Sequence, residues 1–149
     1  MLIEQLVTSF IATAAFGLIF NAPKKSLLQC GFAGMMGWLM YILFDQRFNM
    51  VLSTLAATFL VGVISLVLAR INKNPVIIYS VSGILPLVPG GLAYDAMRKF
   101  VENDYNTAIQ LAAAAFLISG SIATGLVLSE VLNQLLRKAA ARPKSSAHR

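Results

Sequence analysis

Charge is what this sequence has least of. Of 149 residues only 12% are Asp, Glu, Lys or Arg, while 58% are hydrophobic; soluble domains carry about 25% charged residues. That balance excludes an ordinary soluble domain and predicts an all-α integral membrane protein with a single transmembrane domain over residues 1–138. Cysteine and histidine are down to one each, Cys30 and His148. No intramolecular disulfide can form. No Cys/His zinc set can be assembled, and a lone histidine in a polar tail supports neither a Ser-His-Asp nor a Cys-His engine. The expectation is therefore a non-enzyme with no metal and no cofactor. Cys30 lies in an apolar run, as a small buried hydrophobe does. No Lys or Arg precedes the first apolar run, and Glu4 stands where a signal peptide carries positive charge, so that run is read as a retained first helix.

What is present is a series of apolar runs long enough to cross a bilayer, which takes about 20 residues each. Five helices are predicted, over about 2–20, 27–44, 50–69, 76–95 and 107–136. Asn21-Ala22-Pro23-Lys24-Lys25 reads as a stop and turn, because Pro23 biases Ala22 away from helix and the lysines prefer water. In the second run Gly31, Gly34 and Gly37 recur every third residue, and Ala33 pairs with Gly37, so another backbone can approach closely. Trp38 and Tyr41 fall nearer its far end, as interfacial anchors do. In the third run Ser53, Ala57, Val61, Ser65 and Ala69 make a four-residue ladder. In the fifth, Ser121, Gly125 and Ser129 repeat that spacing, and Ser119, Ser121 and Thr124 place hydroxyls near the middle, where they can bond back to their own helix or across to a neighbour. Glu130 is an acid inside the apolar pattern near its end; it either snorkels to the surface or couples protons. A basic, disordered tail is expected over 139–149.

The fourth run is the odd one. Between Val76 and Asp95 it holds two of the five prolines and three of the ten glycines, at Ser82-Gly83-Ile84-Leu85-Pro86-Leu87-Val88-Pro89-Gly90-Gly91. Neither residue type favours a helix interior. An interrupted spanning helix survives in lipid only where protein or a wet cavity covers it, and in transporters it marks the substrate site. Pro86 cannot donate to the carbonyl of Ser82, nor Pro89 to that of Leu85, so both carbonyls are expected to be bare. The amides of Gly90, Gly91 and Leu92 are expected to open a second half-helix whose positive end suits an anion. A packed proline kink is the simpler alternative. Past the break, residues 93–106 mix charge with apolar side chains, either as an extension of the fourth helix or as a short surface helix. Within it Asp95 and Arg98 are gate candidates, against a merely solvated face.

The net charge of +6 would suggest nucleic acid in a soluble protein. Here the basic residues sit at segment ends and in the tail, where orientation and lipid headgroups account for them, and no nucleic-acid partner is expected. With five spans, one side collects Lys24, Lys25, Arg70, Lys73 and the tail's Arg137, Lys138, Arg142, Lys144 and Arg149; the other holds only Arg47, Arg98 and Lys99. The positive-inside rule then places the N-terminus outside and the C-terminus in the cytoplasm. Pro86 falls about ten residues into its helix, near the bilayer centre.

The Asn-Ala-Pro-Lys-Lys turn of 21–25, the glycine-spaced second run ending Gly37-Trp38-Leu39-Met40-Tyr41, and the Gly83-Ile84-Leu85-Pro86-Leu87-Val88-Pro89-Gly90 run together resemble the threonine/serine exporter family, in its small five-span subunit type. The likeness covers nearly the whole chain apart from the tail, and its Pro-Leu-Val-Pro-Gly run is the most specific part. Members of that family export threonine or serine on the proton gradient. Split members pair a small subunit with a larger one carrying extra soluble sequence, and some split pairs of enteric bacteria are associated with succinate export. The resemblance thus implies a multi-pass subunit of a bacterial inner-membrane exporter that works with a larger transmembrane partner. It carries no site residue across, so the site expectations rest on the residues themselves.

Three functions follow for weighing. The first is export of a small polar metabolite. A threonine or serine zwitterion suits a broken helix, with carboxylate at the amides of 90–92 and ammonium at the carbonyls of Ser82 and Leu85. A dicarboxylate such as succinate needs a second positive element that no mid-membrane Lys or Arg supplies. The second is a homo-oligomeric channel built on the small-residue stripes, with flux independent of a proton gradient. The third is a structural subunit that only supports its partner.

Overall fold

A computed structural model describes residues 1–140; the basic tail from 141 to 149 lies outside the described residues. Six α-helices and one 3₁₀ turn make up the chain there: α1 Leu2–Ile19, α2 Lys24–Asp45, α3 Met50–Asn72, α4 Val76–Ile84, the 3₁₀ turn Leu85–Leu87, α5 Gly90–Val101 and α6 Tyr105–Ala140. By length and composition α1, α2, α3 and α6 are each able to cross a membrane. The stretches Val76–Leu87 and Gly90–Val101 qualify together and meet at a 50° bend.

Local chemistry sets the helix ends. Pro23 caps α2 at φ −55° and ψ 136°, and Lys24 and Lys25 form its exposed first turn instead of belonging to the link. A proline's fixed φ and missing N–H suit such a start. Three helices close by one device. Asn21, Lys73 and Asn103 take left-handed φ of 56°, 55° and 62°. The amide after each reaches back five residues, Ala22 to Gly17 at 3.0 Å, Asn74 to Ala69 at 3.2 Å and Asp104 to Lys99 at 3.0 Å. These bonds satisfy carbonyls that a helix end leaves open.

α1 and α2 run antiparallel, with Gly17 against Cys30 and Thr13 packed over Gly34. α3 and α6 run parallel: Gly125 faces Leu55 and Thr58, Gly62 faces Ser129, and the Arg70 guanidinium donates to Asn133. α4 lies in the groove between α2 and α3, where Gly83 meets Val61 and Ala33. α5 packs along α6. The α3–α6 register sets Met50 level with Leu117. Residues 105–116 therefore run about 18 Å past the start of α3.

The interior is small and hydroxylated, while large apolar side chains face outward. Ser53, Thr54, Ala57, Thr58, Val61 and Ser65 of α3 are all buried, whereas Ile11, Leu28, Val67, Phe116 and Val127 are exposed. This inversion is how helices pack in lipid, where close backbone approach replaces hydrophobic drive. Hydroxyls cross between helices at Ser9, which donates to the Gly34 carbonyl, and at Tyr79, which donates to Ser26; most of the others bond back within their own helix. Thr54, Thr58, Ser65, Ser119, Ser121 and Thr124 each donate to the carbonyl four residues back, at 2.7–2.9 Å.

Candidate substrate site

The fourth apolar run does not continue as one helix to residue 95. α4 stops at Ile84, tightens into Leu85–Leu87, and passes through Val88 and Pro89 before α5 starts at Gly90. Pro86 and Pro89 account for this locally, since each removes a donor from the ladder. The expectation of two bare carbonyls is corrected by the same geometry. The Leu85 amide donates to the Ser82 carbonyl, and the Val88 amide donates to the Leu85 carbonyl at 3.3 Å. Contracting from i+4 to i+3 bonding re-satisfies both.

The Gly90 amide is also engaged. Pro89 sits at φ −79° and ψ 51°, and Gly90 N–H donates to the Val88 carbonyl at 2.8 Å, an inverse γ-turn. The amides of Gly91 and Leu92 belong to the first turn of α5, whose donors have no intrahelical acceptor. Gly90 and Gly91 are exposed, and a β-carbon on either would meet nothing within 4 Å.

Two clefts flank the break. One, of about 210 Å³, is lined by Trp38, Tyr41, Met50, Thr54, Pro86, Leu87, Pro89, Leu92 and Ile118. The other, of about 350 Å³, lies toward α1 and is lined by Glu4, Gln5, Thr8, Ser9, Ala12, Trp38 and Pro86. Trp38 and Pro86 belong to both. No Lys or Arg lines either cleft. Among the described residues the Trp38 indole nitrogen and the Ser82 hydroxyl are the buried side-chain polar atoms without a hydrogen-bond partner.

Of the residues singled out in the sequence, the structure brings Pro86, Pro89 and Leu92 to one cleft. Ser82 is fully buried inside the packing of α4 and lines neither cleft, nor does Leu85. Asp95 and Arg98 lie along α5, 3.7 Å apart, and Arg98 reaches Glu102 at 3.8 Å while Lys99 holds Glu102 at 2.7 Å. The Lys99 ammonium, by hydrogen bond and charge, holds the Glu102 carboxyl below the usual glutamate range. Glu130 is exposed beside a separate cleft of about 170 Å³ with Ser80 and Ser129, away from the break. Gly31 faces the Phe10 ring, Gly34 Thr13, Gly37 Val61 and Gly125 Thr58, and Ser121 is buried with its hydroxyl on the Leu117 carbonyl at 2.9 Å.

Sequence reasoning passed over the α1 side of the site. Gln5, Ser9 and Thr13 repeat every fourth residue in an otherwise apolar helix, with Glu4 and Thr8 beside them. That polar ladder was a usable signal: Gln5 and Ser9, with Glu4 and Thr8, form the α1 wall facing Trp38 and Pro86, while Thr13 packs over Gly34. Trp38 itself reads as an interfacial anchor from its position alone.

A family model described as "Threonine/Serine exporter, ThrE" matches residues 5–132 of the chain. No solved structure matches it.

Proposed function

The chain belongs to the threonine/serine exporter family, and from that premise we propose that it is a subunit of a secondary transporter exporting threonine or serine across a bacterial inner membrane, together with a larger transmembrane subunit of the same family. α4 and α5 are then two halves of a fourth span, with the N-terminus outside and the C-terminus in the cytoplasm. Their dimensions support this. α4 and its 3₁₀ turn rise about 20 Å, and α5 inclined at the bend adds about 12 Å, close to the ~30 Å of a hydrocarbon core.

The observation that carries the proposal is the bend itself with a cleft against it. At Pro86–Leu92 the helix is interrupted beside a cavity of about 210 Å³, a small-ligand volume, and the amides of Gly91 and Leu92 open the following half-helix. Backbone of this kind at membrane depth is tolerated where it lines a cavity. A zwitterion fits a site without Lys or Arg better than a dicarboxylate such as succinate does, because a second carboxylate there needs a cation from elsewhere.

The test is efflux of labelled threonine from cells expressing this chain with its companion. Pro89→Ala combined with Gly90→Leu restores a donor and removes the flexible start of α5. The new leucine meets no neighbour at its β-carbon, so packing is spared. Efflux is expected to fall tenfold or more at normal protein levels; unchanged efflux would remove this segment from the mechanism.

A further inference from the structure

Trp38 is the sole tryptophan of the chain, and it stands where the two clefts beside Pro86 adjoin. Its ring stacks on Tyr41, with centroids 5.4 Å apart and planes 23° from parallel, which holds the indole in one orientation. Its Nε1 is buried without a hydrogen-bond partner among the described residues. An indole nitrogen can only donate, and a buried donor left unmade is unfavourable unless something occupies it for part of the cycle.

Gln5, Tyr41 and the Leu92 amide also bring donors to these clefts, but among the side chains lining them the Trp38 N–H is the one that is buried and unpartnered. The hydroxyls of Thr8, Ser9 and Thr54 already donate to the carbonyls of Glu4, Gly34 and Met50. Pro86 and Pro89 have no N–H to give. We propose that the Trp38 indole N–H is the donor that receives the carboxylate of the exported amino acid where the two clefts adjoin. The inference rests on the exporter reading and deepens it. In the antiparallel α1–α2 register Trp38 is level with Ser9, so Glu4 stands about 7 Å further out, at the mouth of the larger cleft. Glu4 toward the outside and the Trp38 N–H further in are ordered to suit a molecule carrying both an ammonium and a carboxylate; the N–H is closed to solvent in this structure and is reached when the two clefts open to each other.

Because there is one indole, it reports its own occupancy. The full chain, labelled with ¹⁵N-indole tryptophan and set in nanodiscs with its unlabelled companion subunit, gives one Nε1–H resonance, which is followed during titration with threonine, with threoninol (the same ammonium and hydroxyl, no carboxylate) and with succinate. Threonine is expected to move that resonance downfield and to bind at least tenfold tighter than threoninol, since a site that hydrogen-bonds a group discriminates strongly against its absence. In Trp38→Phe, followed by calorimetry, the advantage of threonine over threoninol is expected to shrink to about twofold while threoninol binding holds. A parallel loss for both ligands means Trp38 only supports packing and overturns the assignment. So does a resonance unmoved by saturating threonine, which needs no variant to fold. A shift with succinate but not threonine keeps Trp38 as carboxylate donor and refutes the amino-acid cargo. A threonine-dependent shift without efflux strikes the exporter reading alone.

Discussion

Val61 of α3 is gripped by two glycines of neighbouring helices. Its Cγ1 lies 2.6 Å from where a β-carbon on Gly83 of α4 would stand, and its Cγ2 fills the corresponding place at Gly37 of α2. Val61 is the middle residue of α3, so three helices meet at the midheight of the bundle with the least material between them. That closeness fixes where α4 can sit, and therefore where its interruption one turn later opens beside Trp38.

Gly83→Ala drives a methyl into Val61, whose β-branched side chain has little rotamer freedom to yield. Overpacking of this sort costs about 1–3 kcal/mol. The expected result is a lowered unfolding midpoint in denaturing detergent, with most of the loss recovered in Gly83→Ala combined with Val61→Ala. An uncorrected loss in the double variant would mean that the α2–α3–α4 contact is not what the alanine disturbs.

Much of this fold is legible in the sequence. The scarcity of charge marks each apolar run, and the ladder Ser53–Ala57–Val61–Ser65–Ala69 is the buried spine of α3. The prolines at 86 and 89 locate the bend. They do not reveal how the freed carbonyls of Ser82 and Leu85 are satisfied, because a chain that loses i+4 bonds can stay open or tighten to i+3, and the choice depends on the room its neighbours leave. The same limit hides Trp38. Whether an aromatic one turn before Tyr41 meets lipid or lines a cleft depends on the rotation of α2 against α1 and α4, which its own spacing does not encode.

Tyr79 ties the start of α4 to α2 and to the α3–α4 link. Its hydroxyl donates to Ser26 at 3.0 Å, while the Asn74 amide donates to that hydroxyl at 3.1 Å and to Ser26 at 2.9 Å. Tyr79 and Ser26 are buried. Tyr79→Phe keeps the ring and leaves two partners short, so a loss of about 1–2 kcal/mol in the same unfolding assay is expected. Ser26→Ala should cost a similar amount, and the two losses should not add, because they break one network.

Asp104 caps α6, and the Thr107 hydroxyl, then the Thr107 amide, holds its carboxyl below the ordinary aspartate value of 3.8. A depressed acid stabilises the fold above its unfolded value, and that contribution is lost as pH falls through the lower folded value. Asp104→Ala should therefore lower the thermal midpoint at pH 7, with the gap to the unsubstituted protein closing as the pH is taken below about 3.8. A gap that stays constant from pH 7 to pH 3 would show that the side chain acts by something other than its charge. Asp104→Asn should retain part of the cap and lose the pH dependence.

The Ser82 hydroxyl gives the sharpest separation between the two ways of reading the break. If α4 gripped cargo at its own end, Ser82 would be a contact residue, and Ser82→Ala would cut efflux. In the structure the side chain is fully buried, lines neither cleft beside Pro86, and has no hydrogen-bond partner among the described residues. Replacing an unpaired buried hydroxyl by a methyl of nearly the same shape is close to neutral for folding, within about 1 kcal/mol. Ser82→Ala should therefore leave both the unfolding midpoint and threonine efflux near their original values, whereas Trp38→Phe, one layer across the cleft, lowers efflux. A tenfold loss of efflux in Ser82→Ala with an unchanged midpoint would move the cargo from the cleft wall into the α4 packing, and would require that layer to open during transport.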